Sequence, residues 1–87
     1  MRNGETNLTN KELVQAVVEL TGLTPMLGPG TVRRALRDSG VDPAKATEED
    51  MLRALPRLFA RLTAFQTEAV ALANTERIES FLRSRLG

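Results

Sequence analysis

The hydrophobic positions of this chain recur with a helical period, and short polar signals punctuate them. Leu13, Val14, Ala16, Val17, Val18 and Leu20 cover more than half of a helical wheel, so a helix here needs cover on most sides. Its start is written in Thr9-Asn10-Lys11-Glu12, a capping box with Thr9 as N-cap and Glu12 reaching back to it. Leu8 and Leu13 are spaced for the accompanying hydrophobic staple. The pattern ends near Thr21, just before Gly22, a suitable C′ residue. Leu23 to Gly30 reads as a loop by its Pro and Gly content. A second, short helix is predicted from Thr31 to Ser39, closed by Gly40. Val32, Ala35, Leu36 and Ser39 share one of its faces, and Arg33, Arg34 and Arg37 the other. Val41-Asp42-Pro43 reads as a turn, because the residue before a proline avoids the helical region.

Thr47-Glu48-Glu49-Asp50 opens a third helix, with Thr47 as cap and the carboxylates placed where the helix dipole favours them. From there Met51, Leu55, Leu58, Leu62, Phe65, Ala69 and Leu72 step in alternating fours and threes, a heptad-like seam suited to helix packing. Pro56 interrupts the seam and predicts a kink or a restart. No Gly or Pro follows until Gly87, and the apolar register slips between Leu72 and Ile78. A reversal is expected either at Gln66-Thr67, with Thr67 as a new N-cap, or at Asn74. Charge favours an antiparallel arrangement. Residues 51–65 carry Arg53, Arg57 and Arg61 and no acid, whereas residues 66–80 carry Glu68, Glu76 and Glu79 against Arg77 alone. The expected fold is therefore all-α: a single domain over residues 8–87 with three or four helices and a long C-terminal helical segment. Residues 1–7 read as a flexible polar arm.

Composition narrows the chemistry. The chain has no His, Cys, Trp or Tyr and only three Phe, so the usual general base, the usual metal ligands and the most nucleophilic side chain are missing. Ser39, Ser80 and Ser84 have no histidine to activate them. This inventory argues against an enzyme, a cofactor site and a small-molecule substrate. At 87 residues, with no disulfide available, burial within one protomer is modest, and association is a natural way to hide more apolar surface. The net charge of +1 creates no overall field toward nucleic acid or anionic lipid. Ten of the twelve basic residues are Arg, which reads as the codon bias of a GC-rich bacterium. Met1 to Asn7 shows no apolar signal-peptide core, and no apolar run approaches the ~18 residues of a membrane span. Together with the absent cysteines, this leads to an expected cytoplasmic location.

Three features are candidates for recognition. Gly28-Pro29-Gly30-Thr31 precedes Arg33 and Arg34, but it lacks the Gly-Lys-Ser/Thr of a phosphate loop and reads as a tight helix start. Thr31-Val32-Arg33-Arg34-Ala35-Leu36-Arg37 resembles the recognition helix of Lac-repressor-type helix-turn-helix regulators, which carry a Thr-Val-x-Arg-x-Leu core. That resemblance implies DNA contact by Arg33, Arg34 and Arg37, although eight residues separate Gly22 from Thr31 where that family has a short turn. The third is a stripe, Arg53, Arg57 and Arg61, in which Glu49 is spaced to pair with Arg53.

Gly40-Val41-Asp42-Pro43 followed by Thr47-Glu48-Glu49-Asp50-Met51 resembles small all-helical modules found beside bacterial signalling proteins, which share that turn and helix start. The resemblance implies a regulatory or adaptor role and assigns no functional residues. The expectation is a non-catalytic protein–protein interaction module in a bacterial regulatory assembly. It would bind a protein partner or itself as a homodimer. Its seam would be Met51, Leu55, Leu58, Leu62, Phe65 and Leu72, and Arg53, Arg57 and Arg61 would form a rim that selects an acidic partner. The alternative is a small DNA-binding protein, helix-turn-helix or histone-like, using the basic helix at 31–39.

Overall fold

A computed structural model of the chain describes residues 8–87; the arm expected at 1–7 lies outside them. Among the described residues four α-helices follow in order: α1 (Asn10–Leu20), α2 (Gly28–Asp38), α3 (Glu48–Leu62) and α4 (Glu68–Leu86), with a 3-10 turn at Pro43–Lys45 between α2 and α3. The fold is a small all-α bundle with a long last helix.

Local chemistry sets most of the boundaries. The Thr9 hydroxyl accepts from the Glu12 amide at 3.1 Å, and the Glu12 carboxylate accepts from the Thr9 amide at 2.9 Å, which completes the capping box. A second box opens α3, where Thr47 and Asp50 exchange the same pair of bonds at 3.2 and 3.1 Å. Asp42 starts the 3-10 turn by accepting from the Ala44 amide at 3.0 Å. Gly40, at φ 79°, ends α2 in a Schellman arrangement. Its amide reaches Arg37 O and the Val41 amide reaches Leu36 O, both at 2.9 Å, while Val41 and Leu36 are buried.

One boundary differs from the sequence reading, and two alternatives it left open are decided. First, α2 begins at Gly28, three residues before Thr31. The Thr24 carbonyl accepts from the Leu27 and Gly28 amides, so the loop already turns helically, and Pro29 is tolerated in the first turn because it would have no intrahelical partner there. Gly28 is buried, and a Cβ on it would meet Val18 Cγ1 at 2.8 Å, so glycine permits the close approach of α1 to α2. Second, α3 passes through Pro56 without a restart. Pro56 is exposed, where water can serve the carbonyl that it leaves without a donor. Third, the reversal falls at the first of the two expected places: the chain turns after Leu62, and Thr67 caps α4 by accepting from the Val70 amide at 3.2 Å. Asn74 is not a cap. It is buried in mid-helix and donates to Thr21 O at 3.0 Å.

The helices surround one core. Val17 and Val18 of α1, Val32 and Leu36 of α2, Met51, Leu58 and Leu62 of α3, and Ile78 and Leu82 of α4 meet there. α3 runs through its centre, packed on α2 along one flank and on α4 along the other. Arg85 near the end of α4 pairs with Glu48 at the start of α3 at 2.9 Å, which fixes the antiparallel hairpin.

Candidate interaction surfaces

The predicted seam divides between the interior and the surface. Met51, Leu58 and Leu62 belong to the domain's own core, with Leu62 fully buried. They are unavailable to a partner, and an aspartate at Leu58 or Leu62 would unfold the domain rather than report on binding. Leu55 is half-buried, whereas Phe65 and Leu72 are each 51% exposed. The heptad spacing continues past Leu62, but the helix does not. The seam crosses a turn at 63–67, and α4 then buries Ala71, Asn74, Thr75, Ile78 and Leu82 instead of the Ala69 and Leu72 line.

The arginine stripe of α3 is likewise used internally. Arg53 pairs with Asp50, one turn before it. Arg61 grips Asp38 with two nitrogens, Nε at 2.8 Å and Nη2 at 2.6 Å, and Arg57 Nη1 donates to the Asp38 carbonyl at 3.1 Å. Cations at the end of α2 complement its dipole as well as the carboxylate. Two residues of the predicted rim, Arg57 and Arg61, therefore dock α3 onto α2, while Arg53 stays within α3. Among the described residues neither Glu68 nor Glu76 forms an ion pair with this stripe.

Arg33, Arg34 and Arg37 behave differently. All are exposed on α2, and among the described residues none of their side chains has a hydrogen-bonding or ion-pair partner. Arg33 and Arg37 line an open groove of about 490 Å³ between α1 and α2, with Lys11, Val14, Gln15, Val18, Pro29 and the Asp42–Ala44 corner. Lys11 and Val14, which the sequence reading did not single out as a site, join them because i, i+3, i+4, i+7 spacing puts 11, 14, 15 and 18 on one face of α1.

A second open groove, about 300 Å³, lies between α3 and α4. Leu55, Pro56, Phe59 and Leu72 form its apolar wall, and Thr75, Glu76 and Glu79 its polar edge. Phe59 falls off the heptad line and was missed for that reason; it follows Leu55 at i+4, the signal that could have found it. Inside the core, a void of about 10 Å³ lined by Val17, Leu36, Met51, Leu58 and Ile78 holds at most about one water and is apolar. Among the described residues no group of His, Cys, Asp or Glu could hold a metal ion, and no helix is long and apolar enough to cross a membrane. No family model, curated protein or solved structure matches the chain.

Proposed function

We propose that this chain is a non-catalytic protein–protein interaction module, an adaptor or regulator in a bacterial regulatory or signalling assembly in the cytoplasm. The observation that carries the reading is the α3–α4 groove, where Leu55, Phe59 and Leu72 remain accessible after the core is complete. Leucine and phenylalanine burial is the main favourable term in association, and Glu76 and Glu79 supply a polar rim. The resemblance of the Gly40–Pro43 turn and the Thr47–Met51 helix start to signalling-associated modules points the same way.

Two measurements test it. Light scattering at high micromolar concentration, with Leu72→Asp alongside, asks whether a second copy fills the groove; a dimer that the variant dissolves assigns the groove to self-association. If the chain is monomeric, a photo-crosslinking residue at position 72 should capture a protein in the native host that the same residue at exposed position 53 does not. A monomer without position-specific capture ends the reading.

The DNA-binding alternative keeps one specific support, the exposed and unpaired Arg33, Arg34 and Arg37. Retardation of duplex DNA that weakens steeply with salt would favour it.

A further inference from the structure

We infer that the α1–α2 groove receives an acidic amphipathic helix of a partner protein. The groove is independent of the α3–α4 groove and shares no residue with it.

Its shape supplies the first reason. Val18 lies against Gly28 at the start of α2, and the Asn10 side chain donates to Ala46 O beyond its end at 2.6 Å, so α1 and α2 run in opposite senses. Groove positions 11, 14, 15 and 18 follow one face of α1, and 29, 33 and 37 one stripe of α2. From Pro29 to Arg37 the floor is about 12 Å long, roughly two helical turns. An open trough between two helices suits a third helix laid into it.

Charge supplies the second. Lys11, Arg33 and Arg37 border the trough, and among the described residues Asp42 is the single acid in its lining. The Asp42 carboxylate already accepts from the Ala44 amide. The described residues give the three cations no partner, unlike Arg53, Arg57 and Arg61, which the fold engages. Carboxylates on an incoming helix would meet all three without displacing an internal contact.

The floor supplies the third reason and separates a peptide from a nucleic acid. Val14, Val18, Pro29 and Pro43 line the same trough as the cations. A phosphate backbone has nothing to place on those carbons, and no aromatic ring is present to stack a base. A leucine or isoleucine one turn from a glutamate satisfies both parts of the trough. Val14 on α1 is half-buried by the domain and would be fully covered by such an occupant.

The probe is a fluorescent helical peptide of about 14 residues with leucines at i, i+3, i+4 and i+7 flanked by glutamates, followed by anisotropy. It should bind saturably to the full chain. Arg33→Glu with Arg37→Glu should weaken it about tenfold or more, while Arg34→Glu, on the same helix but outside the groove, should change it less than about twofold. Amide shifts of the unmodified protein should move along α1 and α2 during the titration, a readout that needs no variant. Absent saturation, equal loss in the Arg34→Glu protein, or shifts confined to other helices overturns the proposal. So does equal binding by a peptide with serine for leucine, or displacement of the probe by duplex DNA. Any of these failures leaves the α3–α4 reading untouched.

Discussion

The basic stripes of α2 and α3 look alike in the sequence and end in opposite circumstances. Arg33 and Arg37 stand four apart on α2, as do Arg57 and Arg61 on α3, each opposite an apolar face. On α3 they clamp the end of α2 through Asp38. On α2 they border an open trough and engage nothing among the described residues. Spacing on a helix decides which cations act together. What lies across from them decides whether they hold the fold or face outward.

That contrast can be broken by measuring stability in denaturant. The reference is the buried edge of the same helix. Leu62→Ala should cost about 2–5 kcal/mol, since it empties a fully enclosed site. Asn74→Ala should cost about 1–3 kcal/mol, because the buried Thr21 carbonyl loses one of its donors and a packed side chain is truncated. Arg61→Glu places a carboxylate beside Asp38 at the negative end of α2 and should cost about 1 kcal/mol, a value kept small by the partial exposure of both partners. A double-mutant cycle of Arg61→Gln with Asp38→Asn should return a coupling of about 0.2–1 kcal/mol that shrinks with salt. Arg33→Glu and Arg37→Glu should each stay within about 0.5 kcal/mol of the unmodified protein. If the α2 variants cost as much as Arg61→Glu, the two stripes are not different in kind.

Much of the fold was legible because its signals are local. The box at Thr9–Glu12, the cap at Thr47 and the closure at Gly40 each involve atoms a few residues apart. The start of α2 was hidden because Gly28-Pro29-Gly30 looks like a loop, while Gly28 is set by Val18 on another helix. The reversal after Leu62 carries no glycine or proline. Leu62 O accepts from both the Phe65 and Gln66 amides, and the signal at this place is Thr67, the cap of α4, which residue type alone did not separate from Asn74. Asn74 suits a cap by residue type, but its partner lies 53 residues earlier in the chain. The surfaces were less legible. Leu55 and Leu72 lay on the seam that the sequence displays, yet Met51, Leu58 and Leu62 on the same line went inside. The bond from Arg61 to Asp38 spans 23 residues, beyond the reach of any helical spacing rule.

The Thr21 carbonyl accepts from Asn74 and from Gln66, and Gln66 Oε1 in turn accepts from Asn74 at 3.3 Å. A string of short helices joined by neighbouring contacts could fray from either tip, one segment at a time. This clasp fastens α1 to α4, so peeling off the first helix breaks bonds that the last one makes. Amide protons of α1 and α4 should consequently exchange with solvent at matched rates, as a single opening event rather than two.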